Sequence, residues 1–114
     1  MTDCVFCGIV AGKIPARRVL ENDAVIAFHD LHPAAPVHVL VIPRRHISSL
    51  DDLTPDEDTL VGEMVRQASG LAHELGFKER GYRLVFNTGP DAGQSVFHIH
   101  LHLLAGRRLA WPPG

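Results

Sequence analysis

Short apolar runs alternate with turn-forming residues near the start of the chain. Residues 19–21 and 25–28 are rich in β-branched and aromatic side chains, which strands favour. Asn22 and Asp23 separate the two runs, and side chains of this type hydrogen-bond to the local backbone in tight turns. The pattern predicts a β-hairpin.

A third run is apolar at nearly every position. Residues 38–42 follow Pro36, carry four consecutive aliphatic side chains after the first position, and stop at Pro43. Continuous apolar runs of this length are typical of a central strand that is covered on both faces. Residues 82–86 predict a further strand.

The middle of the chain changes to a helical period. Thr54, Pro55 and Glu57 combine an N-cap hydroxyl, a proline at the first helical position and a glutamate placed for a capping box. Gly76 provides the C-terminal stop. The apolar residues between them recur at helical spacing: Leu60, Met64, Ala68, Leu71 and Leu75. Residues 4–13 predict a second, short helix or turn.

The last apolar run, residues 96–105, predicts a strand that contains three alternating histidines. His98, His100 and His102 are each two positions apart, so on a strand they would line one face while their neighbours fill the core. Five predicted strands and two helices indicate an α+β fold: a mostly antiparallel five-stranded sheet with one long helix and a short N-terminal helix. We expect a single domain over residues 1–114.

The composition excludes several classes of protein. Hydrophobic residues make up 46% of the chain and charged residues 21%, which predicts a buried core. A net charge of -2 provides no basic stripe for a nucleic acid partner. The sequence contains no apolar segment of about 20 residues that could cross a membrane, and residues 1–3 lack the basic region of a secretory signal. We therefore expect a cytoplasmic protein with no membrane partner.

The three alternating histidines allow three interpretations. They could form a wet polar face, a metal site in which imidazoles bind one ion, or a catalytic site in which an imidazole attacks phosphorus. A loop that contains Gly89 and Gly93 precedes them and is flanked by Asn87, Gln94 and Ser95. Backbone N–H groups and short polar side chains in such a loop can bind phosphate oxygens, which favours the catalytic interpretation.

Cys4 and Cys7 are the only cysteines of the chain. Their two-residue spacing suits two thiolates that bind one tetrahedral ion, and a disulfide between them would constrain almost nothing. A redox dithiol is the alternative, although the segment lacks the strand and helix context of thioredoxin-like proteins.

These motifs together resemble the histidine-triad superfamily, and within it the Hint branch. The defining pattern of the superfamily is His-x-His-x-His followed by two apolar residues, which residues 98–104 match. Further blocks that look like the Hint branch stand in the family's order at residues 27–30, 36–43, 93–98 and 111–114. The resemblance covers nearly the whole chain.

The resemblance implies a role for each polar residue of the site. His100, the middle histidine, would be the nucleophile, and His38 would polarise or orient it. His102 would act in catalysis and contact the phosphate. The remaining phosphate contacts would come from Asn87, Gln94 and Ser95. Asp30 would bind the ribose hydroxyls, and the base would lie among Val5, Phe6, Ile9, Ile14, Phe28 and Leu31.

The cysteine pair is missing from many Hint proteins. In having it, this chain resembles the zinc-containing bacterial members of the branch. By that resemblance, Cys4, Cys7, His46 and His98 would bind a structural zinc ion. His98 would then be a metal ligand and could not also face a leaving group.

The same resemblance implies an enzyme that hydrolyses purine nucleoside 5′-phosphoramidates through a covalent nucleotidyl-histidine. The small-molecule partner would be a purine nucleotide similar to adenosine monophosphate (AMP), and the protein would be a homodimer. Histidine at position 102, where the transferases of the superfamily have glutamine, favours hydrolysis. Two alternatives are a dinucleoside polyphosphate hydrolase and a non-catalytic nucleotide-binding or scaffold protein.

Overall fold

The computed structural model describes residues 4–114 and contains one five-stranded sheet with helices on both faces. The N-terminal segment 1–3, on which part of the expected location rests, lies outside the described residues. The helices are α1 (Val5–Val10) and α2 (Asp58–Glu74), and the strands are β1 (Arg18–Glu21), β2 (Val25–His29), β3 (Val37–Pro43), β4 (Arg83–Phe86) and β5 (Leu101–Ala105). All neighbouring strands are antiparallel, in the order β1-β2-β3-β5-β4. The predicted α+β class is confirmed.

The sheet separates two apolar clusters. On one face, α2 packs its buried residues Met64, Ala68 and Leu71 against Val39 and Leu103 of the central strands. On the other face, α1 covers a smaller cluster. The members of that second cluster are Phe6, Ile9, Ile26, Phe28, Leu40 and Ile42. Because β3 contributes to both clusters, its continuous apolar run is explained by burial on both faces.

The predicted β-hairpin forms between β1 and β2. The Asn22 side-chain oxygen accepts hydrogen bonds from the N–H groups of Ala24 and Val25, at 2.8 and 2.9 Å. This local bonding turns the chain and sets the register in which Glu21 pairs with Ile26.

The predicted start of α2 is confirmed, with a tighter first turn. Glu57 accepts a hydrogen bond from the Thr54 N–H at 2.7 Å, while Pro55–Glu57 form a 3-10 turn before the α-helix begins. This backbone bond is the main reason that the pKa of the Glu57 carboxyl is lowered. Gly76 follows the helix with φ +91°, a conformation that favours glycine.

No helix in residues 4–114 is long and apolar enough to span a membrane.

The prediction of a strand over residues 96–105 is wrong in its first half, because β5 begins at Leu101. Pro43, at the end of the neighbouring β3, has no N–H to donate, and its carbonyl accepts a hydrogen bond from the His98 ring at 2.9 Å. The Ile99 N–H bonds instead to the Ile47 carbonyl at 2.7 Å. The histidines at 98 and 100 therefore precede the strand, and only His102 lies within it.

Candidate active site and metal centre

One row of side chains crosses the sheet on the face that α1 covers. Phe28 pairs with Leu40, Leu40 with His102, and His102 with Val85. Directly paired residues place their side chains on the same face of a sheet. The register therefore places the apolar side chains of Phe28 and Leu40 in line with His102.

His38 and His102 form a hydrogen-bonded pair. The His38 Nδ1 accepts from the Ala34 N–H at 3.0 Å, so in the neutral ring the proton of His38 lies on Nε2. That Nε2 lies 2.9 Å from His102 Nδ1 and 3.4 Å from a carboxylate oxygen of Asp30. His102 Nδ1 must then accept, which leaves its own proton on Nε2. This Nε2 is buried and has no hydrogen-bond partner in residues 4–114.

His100 has the opposite arrangement of protons. Its Nδ1 lies 2.8 Å from the His98 carbonyl, and since a carbonyl only accepts, Nδ1 carries the proton and Nε2 has a free lone pair. The His100 ring packs edge-on against His102 and Phe6, with centroids 4.9 and 5.1 Å apart. A free lone pair and a free N–H donor therefore lie on adjacent rings.

Burial keeps the pair of His38 and His102 neutral. It lowers the pKa of His102 to about 4, an effect that His100 and His38 reinforce. Burial also lowers the pKa of His38, against the opposing attraction of Asp30. At neutral pH both rings are uncharged, as their hydrogen bonds require.

The glycine-rich loop connects β4 with the segment that precedes β5, and its flanking residues include Asn87 and Ser95. Phe86 pairs with Leu101, so Asn87 follows β4 where His100 precedes β5. Asn87 is half-buried and Ser95 is exposed, which leaves both able to contact a ligand.

Gln94 is held differently from Asn87 and Ser95, because its side-chain amide bonds within the protein. It accepts from the Gly89 N–H at 3.0 Å and donates to the carbonyls of Ser48 and Val96 at 2.8 and 3.2 Å. The residue is buried. Its amide therefore fixes the loop and is not directed at a ligand, in contrast to the predicted phosphate contact.

A cavity of about 250 Å³ opens between α1 and β2, where Phe28 and Leu40 of this row line it. Its walls are mostly apolar. They include every residue predicted to contact the ribose or base: Val5, Phe6, Ile9, Ile14, Phe28, Asp30 and Leu31. Asp30 is the acidic residue of this lining, so the mostly apolar cavity also presents one carboxylate.

The four predicted metal ligands also come together. The ligand atoms of Cys4, Cys7, His46 and His98 all lie within 4.8 Å of one another. The fully buried His98 ring donates from Nε2 to the Pro43 carbonyl, so its Nδ1 lone pair is free for a metal. Two thiol and two imidazole donors suit a tetrahedral zinc ion, and the carbonyl bond fixes the tautomer that such a ligand needs.

The three alternating histidines do not form a metal site together. Within residues 4–114, one group of possible ligands contains His98 and another contains Asp30, His38 and His102, but neither contains His100. In the second group, the His38 N–H and the His102 lone pair already bond to each other. The His98 ring turns toward the cysteines, so the other two histidines, His100 and His102, remain together as adjacent rings.

Several residues of the site could not be identified from sequence patterns. Leu40 was predicted only as core, yet it lines the cavity, as do His29 and His32. Pro43 and Ser48 act through their backbone carbonyls, a role that side-chain identity does not reveal. Leu40 could be identified only from the strand register, which pairs it with His102.

The fold and the paired histidines define a histidine-triad protein, and comparison with known proteins agrees. The HIT domain family matches residues 11–109, and the chain belongs to this family, with relatives of the Hint-like branch. The purine nucleoside phosphoramidase of Escherichia coli is 40% identical over 107 residues, which cover 94% of this chain and 90% of that protein.

Solved structures give the same result. A HIT family hydrolase from Legionella pneumophila superposes with a TM-score of 0.97 at 47% identity, covering 98% of this chain and 100% of that one. A zinc-bound histidine triad family protein from Mycobacterium smegmatis has a TM-score of 0.80 at 34% identity, covering 99% of this chain and 81% of that one.

Proposed function

We propose that this protein hydrolyses purine nucleoside 5′-phosphoramidates through a nucleotide covalently bound to His100. The observation that carries the proposal is the proton arrangement of two adjacent rings. The His98 carbonyl holds the proton of His100 on Nδ1, and the His38 bond leaves the proton of His102 on Nε2. A nucleophile thus lies beside a hydrogen-bond donor suited to a phosphoryl oxygen or a leaving nitrogen.

In the first step, the Nε2 lone pair of His100 attacks phosphorus and the phosphorus–nitrogen bond to the amine breaks. The ring becomes positively charged as the bond forms, so the Nδ1–H bond to the His98 carbonyl strengthens and stabilises the transition state. The departing nitrogen takes its proton from water, while the Nε2–H of the neutral His102 ring donates a hydrogen bond to a phosphoryl oxygen or to that nitrogen and keeps its proton.

In the second step, water attacks the phosphorus of the nucleotidyl-histidine. The bond between phosphorus and His100 breaks, the nucleoside 5′-monophosphate leaves, and the Nε2 lone pair returns to the ring. The attacking water releases a proton to solvent, which balances the proton that the amine took in the first step. Asn87 and Ser95 would bind the phosphate oxygens in both steps, while Gln94 holds the loop that carries them.

The nucleoside would occupy the cavity beside α1. Phe6 and Phe28 lie edge to face with ring centroids 5.6 Å apart, which forms an apolar wall suited to a flat base. Asp30 offers carboxylate oxygens to the two ribose hydroxyls. The phosphoramidase activity named for the Escherichia coli relative supports this substrate class.

Zinc would have a structural role in the proposed enzyme. Four protein ligands fill a tetrahedral site and leave no position for a catalytic water. The zinc-bound relative from Mycobacterium smegmatis supports this assignment, as does the donor set of the cluster.

The proposed enzyme is a homodimer. Trp111 and Phe97 are 81% and 62% exposed, and large aromatic side chains are among the residues that protein interfaces cover. A second copy of the chain is the partner that the family resemblance implies.

Mass spectrometry of a base-quenched reaction tests the covalent step, since base preserves phosphohistidine. Mixing the protein with an adenosine 5′-phosphoramidate should give a nucleotidyl adduct on the peptide that contains His100. The adduct should be missing in His100→Ala and present in the control His73→Ala, which changes an exposed histidine on α2. AMP binding without an adduct or turnover would contradict the proposal in favour of a non-catalytic nucleotide-binding protein.

A further inference from the structure

Helix α1 contributes the wall of the cavity but lies outside the sheet. It has only six residues, and helices this short have little stability of their own in water. Its side chains hold it in place through Phe6 and Ile9, which pack onto the sheet. One further contact is the hydrogen bond from the Arg18 guanidinium to the Ile9 carbonyl, at 2.6 Å.

The cysteines lie at the N-terminal end of this helix. Cys4 is the N-cap residue, and its sulfur accepts from the Cys7 N–H at 3.3 Å. Cys4 Sγ lies 3.4 Å from His98 Nδ1, and Cys7 Sγ lies 3.3 Å from His46 Nδ1. A metal ion in this cluster would therefore join α1 to the segment that follows β3 and to the segment that precedes β5.

Phe6 connects the cluster with the nucleotide cavity. Its ring packs edge-on against His98, a ligand of the cluster, with centroids 5.8 Å apart. The same ring contacts His100 at 5.1 Å and lines the cavity. A shift of α1 would move the cavity wall and the support of the nucleophile together.

We propose that the metal cluster clamps α1 in its nucleotide-binding position, so that metal binding and nucleoside monophosphate binding strengthen each other. This inference rests on the proposed nucleotide and zinc sites. A nucleotide in the cavity packs against Val5, Phe6 and Ile9 and holds α1 where Cys4 and Cys7 can bind the ion. The bound ion in turn disfavours positions of α1 in which the cavity wall is displaced and the nucleotide cannot bind.

Thermodynamic linkage provides the test, because two coupled ligands must change each other's affinity by the same factor. Calorimetry should give a dissociation constant for AMP that is about tenfold lower for the zinc-loaded protein than for the zinc-depleted protein, within the usual range of such couplings. Competition with a chelator should show that saturating AMP raises zinc affinity by that same factor. A chelator titration with AMP and no protein corrects for direct binding between AMP and zinc.

Two variants locate the coupling. Phe6→Leu keeps an apolar side chain but removes the ring that contacts His98, and it should bring the coupling factor close to one. Leu31→Ala changes a cavity residue that is 84% exposed and lies outside α1, so it should weaken AMP binding while the coupling factor stays unchanged. An unchanged factor in Phe6→Leu, or equal AMP affinity with and without zinc, would overturn the inference.

Cobalt provides a second measurement if the zinc-depleted protein unfolds. Cobalt bound by two thiolates and two imidazoles absorbs visible light, and AMP should change this spectrum in the parent and not in Phe6→Leu. An identical response of the two proteins, or a chain that takes up no metal, would overturn the inference. Because AMP is not turned over, this outcome is separate from a failure of hydrolysis, which would contradict only the proposed function.

Discussion

His38 Nε2 donates a hydrogen bond to His102 Nδ1 over 2.9 Å. The direction of this bond follows from the Ala34 N–H, which occupies the other nitrogen of His38. A backbone donor in the loop before β3 therefore determines which nitrogen of His102 carries the proton. His102 lies on the neighbouring strand β5, next to the nucleophile His100. Protonation of both rings at low pH would replace this bond with repulsion between two cations.

Stability should accordingly decrease as the pH falls below the ordinary range of histidine. The folded pKa of His102, about 4, lies below its reference value of 6.5, so between these values the unfolded chain binds a proton that the folded chain does not. The free energy of unfolding should fall by about 2 kcal/mol between pH 7 and pH 5 on account of this group. Urea unfolding at the two pH values measures the loss.

The variant His102→Gln isolates the contribution of this group. The glutamine carbonyl can still accept the hydrogen bond from His38 but does not titrate. Between pH 7 and pH 5 the variant should therefore lose about 2 kcal/mol less unfolding free energy than the parent. Acid release of a metal from the cysteines affects both proteins equally and cancels. The same pH dependence in parent and variant would show that His102 is not held neutral.

His100→Ala should abolish turnover and leave the AMP dissociation constant within about tenfold of the parent value, because the lost group acts in the covalent step. Single-turnover kinetics and calorimetry measure the two quantities. The assignment of the nucleophile would be wrong if the variant hydrolysed an adenosine phosphoramidate at the parent rate.

The fold was predictable because local patterns and burial agree along most of the chain. The apolar run of β3, the turn at Asn22 and the capping glutamate Glu57 each act through near neighbours or through simple burial. The boundary of β5 was not predictable, because it depends on Pro43, a residue that is 58 positions away from Leu101 in the sequence. Periodicity alone does not contain that contact.

Family resemblance predicted the members of the site better than their individual contacts. Cys4 and His98 were assigned to one cluster on resemblance, and their side chains do meet in the structure. The resemblance also implies a phosphate contact for Gln94. Its bond to the Ser48 carbonyl decides otherwise, and a sequence does not show which partners satisfy a buried amide.

The hydrogen bonds by which Gln94 holds the loop should contribute to the stability of the protein. Gln94→Ala removes three hydrogen bonds and leaves the Gly89 N–H and the Ser48 carbonyl without their partner. The variant should lose roughly 1–3 kcal/mol of unfolding free energy, together with activity, since the loop carries Asn87 and Ser95. Gln67→Ala, which removes an amide bond to Glu63 on α2, should stay within about 0.5 kcal/mol of the parent. Equal stability of the two variants would contradict the role assigned to Gln94.

Purified protein should contain one zinc ion per chain. Cys4→Ser should reduce the bound zinc and lower the melting temperature, because a structural zinc contributes directly to folding. Elemental analysis and thermal unfolding of both proteins, with and without a chelator, measure these effects. A zinc-free parent that folds normally and takes up no added zinc would remove the metal site and leave the assignment of His100 unaffected.

The C-terminal tail should affect the choice of amine more than the binding of nucleotide. Ala110 is anchored by a hydrogen bond from the Arg83 guanidinium to its carbonyl, at 2.9 Å, whereas Trp111 is 81% exposed and Pro112 and Pro113 cannot extend a strand. The resemblance to the Hint branch implies that, in the homodimer proposed above, this tail would reach the partner's site on the side of the leaving group. Deletion of residues 111–114 keeps the anchored Ala110 and should change the ranking of amine leaving groups while AMP affinity stays the same. Competition assays with a series of phosphoramidates measure the ranking, and light scattering measures the oligomeric state. A monomer at micromolar concentration, or a truncated protein with the parent's ranking, would contradict the prediction.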